Sequence, residues 1–356
     1  MKNRMELFEN APVWKAYFTI SLPVVFSMVV TLVYNMVDTF FVAGTQNASL
    51  VAGVSQCTPL FMLMLALGDI FGLGGSSLIS RLFGQKDDET ARNVSGFCFY
   101  AAIVCGLIVT VLMFAFQGPV LRVLGATSDT LKYASQYYFW IALGAPLIIL
   151  SLTPSNIIRT EGLAVQSMIA SVAGSILNIV LDPIFIFTLG MGAGGAALAT
   201  VLGYVLSDVL LVCYILRKSR HLTVSIRHAR VARKFVTSVF VIGIPASLTN
   251  LMQSYNIMVL NRHLISYGPK AVAAMGIAIK VNMIIMMIMV GFAFGAQPLI
   301  GYSYGAEDNK RLQKIIRFDL LVEVGFSALA AVFIIIFAPQ LIGMFMNDAS
   351  VVSYGT

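Results

Sequence analysis

The stretch SILNIVLDPIFIF, residues 175–187, is apolar almost throughout, yet it places Asn178, Asp182 and Pro183 in its middle. An unpaired carboxylate is costly in an ordinary buried helix. Such a group is tolerated only where its surroundings supply a partner or give it a use. The environment of this segment, and therefore the class of the protein, has to be established first.

The composition is that of a polytopic membrane protein. The 356 residues are 58% hydrophobic and 11% charged, with a mean hydropathy of +0.88, whereas a soluble domain carries about 25% charged residues. Nothing in the composition suggests a soluble domain. The four Cys and three His residues show no metal-binding or disulfide spacing. No Walker loop, HExxH or GxSxG motif is present, so we expect no ATP-driven transport, no enzyme activity and no cofactor.

Apolar segments long enough to cross a bilayer, about 20 residues each, recur along the whole chain. They predict an all-α protein with nine membrane-spanning helices, joined mostly by short polar or glycine-rich loops. The predicted segments are 16–43, 50–80, 92–117, 131–153, 163–188, 194–216, 236–262, 271–300 and 314–340.

The distribution of Lys and Arg predicts the orientation. If the N-terminus is cytoplasmic, 18 of the 23 basic residues fall on the inner side, as the positive-inside rule requires. We therefore expect a multi-pass protein of the plasma (inner) membrane with a cytoplasmic N-terminus. The longest polar link, residues 217–234, is basic and could contact anionic lipid. The net charge of +7 is explained by topology, and no nucleic-acid partner is expected.

An internal repeat relates the two halves of the chain. Shifting the sequence by 221 positions places GLGGSSLISRLFGQKD, from Gly72, on AFGAQPLIGYSYGAED, from Ala293. Repeated halves of this kind are typical of transporters. We predict two six-helix bundles related by a direct repeat, with an N-lobe at 1–225 and a partial C-lobe at 226–356.

The repeat also predicts more helices than the chain contains. TLKYAS, from Thr130, matches VVSYGT, from Val351, at the end of the sequence. The symmetry would require roughly 80 further residues. The expectation is nine of twelve helices, a truncated chain, and possible loss of activity.

The opening segment contains a candidate ion site. Asn178 and Asp182 are four residues apart, so they share one face of the fifth helix. Pro183 lacks a backbone donor and should free the carbonyl of Ile179. An amide, a carboxylate and a loosened carbonyl would thus gather at one place.

Two further polar residues occur in similar apolar settings, Asp38 on the first helix and Thr200 on the sixth. A carboxylate at mid-bilayer costs about 2.5–3.5 kcal/mol, so Asp38 and Asp182 are expected to have a use. Their oxygens suit sodium as hard ligands, and a buried carboxyl suits a proton equally well. The alternatives are helix capping or a hydrated vestibule for the two acids, and plain cross-helix bonding for Asn178 and Thr200.

For the remaining intramembrane ionisable residues a structural role is at least an equal alternative to a functional one, and Asp69 or Glu323 could pair with Lys280 or Arg81. Asp208 is placed in the same class, and Asp319 is expected on a solvated face. Candidates for a substrate cavity come from polar and aromatic positions, although aromatic anchoring at helix ends is an equal alternative. These candidates are Tyr34, Asn35, Tyr137 and Asn156.

Six stretches together resemble the multidrug and toxic compound extrusion (MATE) family, in its DNA-damage-inducible branch. They are LVYNMVDTFFVAG, FGLGGSSLISRLFGQKDDETA, PSNIIRTEG, SILNIVLDPIFIF, GMGAGGAALATVLG and GFAFGAQPLIGYSYGA. The resemblance implies two six-helix bundles forming an outward-open V. It implies export of organic cations in exchange for sodium or protons. It also implies an N-lobe cation site, where sodium could bind, at Asp38, Asn178, Asp182 and Thr200.

Two other functions remain open at this level. One is a lipid-linked oligosaccharide flippase of the same superfamily, although such a cavity should be lined with Arg, and Lys280 is the one cation well inside a predicted helix. The other is an inactive fragment. The expected partners are organic cations and membrane lipids, and the expected state is a monomer. The substrate and the choice between sodium and protons are not determined.

Overall fold

A computed structural model of the chain describes residues 5–264 and 269–345, apart from the side chains of 250, 251, 253–274, 276, 277 and 341–345. Within these residues every regular element is helical. The helices are α1 (Met5–Glu9), α2 (Val13–Gly44), α3 (Ala48–Gln56), α4 (Thr58–Gly84), α5 (Asp88–Ala115), α6 (Gln117–Val123), α7 (Leu131–Arg159), α8 (Ala164–Pro183), α9 (Ala193–Lys218), α10 (Arg233–Leu264), α11 (Pro269–Gly305) and α12 (Asn309–Phe345). A π-helical turn (Ile184–Thr188) follows α8, and a 3-10 turn (Ile226–His228) precedes α10.

Eight stretches of the described residues are long and apolar enough to cross a membrane. They coincide with eight of the predicted segments, so the prediction of a multi-pass, all-helical membrane protein is confirmed. The remaining segment, 236–262, lies in α10, much of whose side-chain structure falls outside the described residues. The total of nine spans therefore stays a prediction.

The predicted segment 50–80 is not one continuous helix. It consists of α3 and α4, with the break at Cys57. Pro59 lies in the first turn of α4, where its missing N–H is tolerated and where it prevents α3 from simply continuing. The short helix α1 also lies outside the predicted spans, as does α6 beyond its first residue, Gln117.

Helix α7 is the centre of the first half. Of its most apolar 18-residue window, 78% is buried, because neighbouring helices approach it through small residues. A Cβ at Gly106 of α5 would collide with Pro146 of α7, and one at Gly68 of α4 would lie 2.7 Å from the Ile149 carbonyl oxygen. Small residues allow such close helix packing in a membrane, where lipid is as apolar as the side chains.

Helices α10 and α11 pack against α4, and α11 also packs against α2. At the α4–α11 crossing a Cβ on Gly84 would collide with the Tyr302 carbonyl, and a Cβ on Gly305 would collide with the Arg81 carbonyl. Gly84 and Arg81 correspond to Gly305 and Tyr302 when residue numbers are shifted by 221, so the two contacts are equivalent under the internal repeat. The loops that follow also match, with φ of 59° at Lys86 and 57° at Glu307.

Side chains join the second half to the first. The Tyr17 hydroxyl of α2 donates to Asp319 of α12 at 2.7 Å, and the Tyr302 hydroxyl donates to Glu9 at 2.8 Å. The expectation that Asp319 lies on a solvated face is therefore wrong. Its carboxylate is half-buried and turned towards α2, because Tyr17 offers a donor there.

The polar link between α9 and α10 lies along the start of α5. The Tyr100 hydroxyl donates to the Val224 carbonyl at 2.9 Å, and Ser95 donates to the Thr223 carbonyl at 3.1 Å. Gly96 makes this approach possible, since a Cβ there would lie 3.0 Å from the His228 carbonyl oxygen. The link is thus fixed to the helical body along part of its length.

Candidate functional site

Helix α8 carries the first two candidate residues on its buried face. Asn178 is 2% exposed and Asp182 is 0% exposed. Pro183 does not end the helical path, which continues as the π-helical turn Ile184–Thr188. Such turns are frequent at functional sites because they alter the register of the backbone hydrogen bonds. The predicted freeing of the Ile179 carbonyl stays a prediction.

Two glycines bring α8 against α9. A Cβ on Gly174 would lie 2.5 Å from the Gly203 carbonyl oxygen, and one on Gly203 would lie 2.8 Å from the Gly174 carbonyl oxygen. The backbones therefore cross at close range, as small residues permit. One turn along each helix from this crossing, Asn178 meets Thr200, which is 4% exposed.

The Asn178 amide links these residues when its nitrogen faces Asp182. In this orientation the nitrogen donates to Asp182 Oδ2 at 3.0 Å. The amide oxygen accepts from the Thr200 backbone N–H at 2.9 Å and lies 3.3 Å from the Thr200 hydroxyl. The opposite orientation would face the amide oxygen towards the Asp182 carboxylate. The positions of the neighbouring hydrogen-bond donors and acceptors thus determine the orientation of the Asn178 amide.

Asp38 reaches the same place from α2, which packs against α8. Its carboxyl group lies within hydrogen-bonding range of the Asp182 carboxyl group. Oδ1 of each is buried, and no donor among the described residues reaches either atom. Ionised carboxylates only accept hydrogen bonds, and two of them side by side repel. The pair is therefore suited to share a proton or to bind a cation.

The candidate cavity residues do not all lie together. Tyr34 and Tyr137 are half-buried and lie within electrostatic range of Asp38. Asn35 is exposed, and its backbone carbonyl accepts from the Thr39 hydroxyl at 2.8 Å. Two aromatic residues thus lie beside the carboxyl pair, while Asn35 points outward.

Asn156 belongs to a separate buried cluster around Arg159. The Arg159 guanidinium is 5% exposed and lies 3.3 Å from Asn156 Oδ1, 3.2 Å from Ser155 Oγ and 3.1 Å from Ser167 Oγ. Asp69 is its nearby carboxylate. Arg159 is one of the 18 basic residues that the charge distribution assigned to the inner side, and sequence reasoning considered Lys280 or Arg81 for Asp69. Arg81 instead lies over the Tyr304 ring at 5.2 Å.

One polar row escaped sequence reasoning. Thr200, Tyr204 and Asp208 follow each other at intervals of four on α9, so they lie along one side of that helix. Asp208 is 4% exposed, and neither carboxylate oxygen has a hydrogen-bond partner among the described residues. The four-residue interval is visible in the sequence and could have predicted that these residues share one side of the helix.

Comparison with known proteins identifies the family. The family model named MatE matches residues 23–184 and 245–356. The chain is 32% identical over 349 residues to the multidrug export protein MepA of Staphylococcus saprophyticus subsp. saprophyticus, covering 98% of this chain and 77% of that protein.

Solved structures with the same fold include two transporters. One is described as the outward-facing conformation of a multidrug resistance MATE family transporter of the MOP superfamily. It superposes with a TM-score of 0.90 at 30% identity, covering 99% of this chain and 78% of that one. The other is a MOP superfamily transporter from Pyrococcus furiosus, with a TM-score of 0.90, 29% identity and the same coverage. Its description states that reverse polarity of the binding pocket suggests a different function.

Proposed function

Because the chain belongs to the MATE family of membrane transporters, we propose that it exports organic cations or other xenobiotics in exchange for sodium or protons. The observation that carries this proposal is the cluster formed by half-buried Asp38 with the buried residues Asn178, Asp182 and Thr200. Ionisable groups inside a membrane usually mark an ion or proton path. The name of the 32% identical relative, a multidrug export protein, supports the substrate class.

The cluster has the chemistry that ion exchange requires. Two adjoining carboxyl groups cannot both ionise without a counter-charge, so their state changes when a proton or cation arrives or leaves. Asn178 holds Asp182 in position by donating to Oδ2 at 3.0 Å. A proton can bind to the carboxylate oxygens that accept no hydrogen bond. Sodium could use the Asn178 amide oxygen as a ligand only if the amide group rotated by half a turn.

We propose the two-lobe arrangement for this chain, with an N-lobe at 1–225 and a C-lobe portion at 226–356. The reciprocal contacts of Gly84 and Gly305 support it. So do two equivalent N-caps, Asp87 Oδ1 accepting from Thr90 N–H at 3.1 Å and Asp308 Oδ1 accepting from Arg311 N–H at 3.0 Å. Repeats that rock against each other around a fixed site are a common transport mechanism.

The location and the subfamily belong to the same proposal. We place the protein in the plasma membrane with its N-terminus in the cytoplasm, on the charge distribution described above. The N-lobe position of the carboxyl pair supports the DNA-damage-inducible branch of the family. Substrates are organic cations, the lipid bilayer is the surrounding medium, and the protein acts as a monomer.

The test is efflux of a fluorescent organic cation, ethidium, from cells that lack their own exporters. We expect Asp38→Asn and Asp182→Asn to abolish the efflux that the unaltered protein supports, with membrane insertion retained. Asp129→Asn is the matched control, because Asp129 is exposed in a loop. Ethidium efflux at the unaltered rate in both cluster variants would overturn the assignment. Flipping of a lipid-linked oligosaccharide without any ethidium efflux would favour the alternative function.

A further inference from the structure

The polar row on α9 leads away from the carboxyl pair. Thr200 contacts Asn178 at one end, and Asp208 lies eight residues further along the helix. At 1.5 Å per residue this is about 12 Å along the axis. The direction is towards Arg217 and Lys218 in the last turn of α9, the end that the charge distribution assigns to the cytoplasm.

The surroundings of Asp208 suit a proton and not a metal cation. Both carboxylate oxygens are buried and lack hydrogen-bond partners among the described residues. Sodium, like other hard cations, requires several oxygen ligands. An ionised carboxylate without partners is strongly disfavoured in an apolar interior, whereas the protonated group is neutral. A single proton therefore satisfies this site.

Tyr204 lies between the two acidic positions. It is half-buried, its ring packs against Phe61 with centroids 6.1 Å apart, and it lies within electrostatic range of Asp208. On the other side it lies close to Tyr34, the phenol beside Asp38. The charged and titratable side chains that the neighbouring helices place inside this lobe include Arg159, Tyr137 and Tyr138 on α7, Asp182 on α8, Asp38 and Tyr34 on α2, Asp69 on α4 and the thiols of Cys57 and Cys98.

We propose that Asp208 is a second proton-accepting carboxyl of the N-lobe, reached from the Asp38–Asp182 pair through the hydroxyl of Tyr204. No donor among the described residues reaches Asp208 in this structure, so the transfer step begins when the Tyr204 hydroxyl moves into hydrogen-bonding distance of the Asp208 carboxylate. The Tyr204 O–H bond then breaks as its proton passes to that carboxylate. The Tyr204 oxygen takes a proton from the side of the carboxyl pair, so the phenol ends neutral and one proton moves inward. The inference rests on the proposed function and specifies protons as the coupling ion.

Infrared spectroscopy of the purified protein tests the site independently of transport. We expect the Asp38→Asn/Asp182→Asn double variant to retain a protonated-carboxyl C=O band that shifts in heavy water. Adding Asp208→Asn should remove the band, and adding Asp208→Glu should restore one at a shifted position. Adding Asp129→Asn should leave the band in place. A spectrum unchanged by Asp208→Asn at every pH of a titration would overturn the proposal.

The relay is tested in proteoliposomes by ethidium transport driven by an imposed pH gradient. We expect Asp208→Asn and Tyr204→Phe to slow transport roughly tenfold or more, as loss of a proton-transfer group does, and Asp208→Glu to recover most of the rate. Unaltered rates in both Asp208→Asn and Tyr204→Phe would overturn the relay. Transport driven by an imposed sodium gradient but not by a pH gradient would overturn protons as the coupling ion and leave the proposed function standing. Absence of transport under both gradients in the unaltered protein would instead contradict the proposed function, and the infrared result would still decide whether Asp208 holds a proton.

Discussion

At the scale of single residues, Asn178 determines how the acidic pair is held. Its amide donates to Asp182 at 3.0 Å and accepts from the Thr200 backbone at 2.9 Å. The bond to a carboxylate is charge-assisted and stronger than a neutral one. The Thr200 hydroxyl contributes less, because it lies 3.3 Å from Asn178 and also donates to the Ala196 carbonyl at 3.0 Å.

This arrangement predicts a hierarchy between two variants. Asn178→Leu removes the donor to Asp182, and a bond to a charged group contributes about 1.5–3 kcal/mol, so ethidium efflux should fall roughly 10- to 100-fold. Thr200→Val removes only a neutral hydroxyl and keeps the backbone donor, so the fall should be no more than about tenfold. Initial efflux rates at equal protein abundance give the comparison. A larger loss in Thr200→Val than in Asn178→Leu would contradict the assigned amide orientation.

At the scale of helices, glycine positions decide which side chains can meet. Helix α8 crosses α9 at Gly174 and Gly203, and α4 crosses α11 at Gly84 and Gly305. In lipid the helices gain little from burying apolar surface, so close backbone packing supplies much of the association energy. The first crossing sets the distance between Asn178 and Thr200, and therefore the geometry of the candidate site.

A methyl group at the α8–α9 crossing should separate the helices. The Cβ of Gly174→Ala would lie 2.5 Å from the Gly203 carbonyl oxygen, and overpacking of this kind costs about 1–3 kcal/mol. We expect a lower unfolding temperature in detergent together with weakened ethidium efflux. Gly118→Ala in α6 is the matched control, since a Cβ at Gly118 would have no atom within 4 Å and surface changes usually stay within about 0.5 kcal/mol. Equal unfolding temperatures for the two variants would disprove the packing argument.

At the scale of the whole molecule, the two ends of the helical body differ in charge. The basic link between α9 and α10 lies at the Asp88 end of α5, where His221 Nδ1 is 3.1 Å from Asp88 Oδ2. Helix α6 follows the opposite end of α5, and its Val123 is 88% exposed. Since α5 has 28 residues, these positions are about 42 Å apart along its axis and should lie on opposite sides of the membrane.

Cysteine labelling tests this orientation. In a background with the exposed Cys213 replaced by Ser, Arg227→Cys should resist a membrane-impermeant thiol reagent added to intact cells. Val123→Cys should react quickly, because it faces the outside under the same topology. Both positions are exposed on the folded protein, so a difference in labelling rate reports the side of the membrane and not burial. Rapid reaction at Arg227→Cys with protection at Val123→Cys would reverse the proposed orientation.

The sequence by itself determined the class, eight of the membrane spans and the family. These properties follow from features that are linear along the chain: apolar segments of bilayer length and motifs in a fixed order. Asn178 and Asp182 could also be paired from the sequence, because residues four apart on one helix share a face.

Only the tertiary structure decided which residues of different helices meet. It separated Asn156 from the carboxyl pair, brought the Arg159 guanidinium of α7 against Ser167 of α8, turned Asp319 towards Tyr17, and gave Asp208 a buried position. The physical reason is that contacts between helices depend on rotation, crossing distance and depth. Those quantities are set by close packing at residues such as Gly174 and Gly203, whose partners lie far away in the sequence.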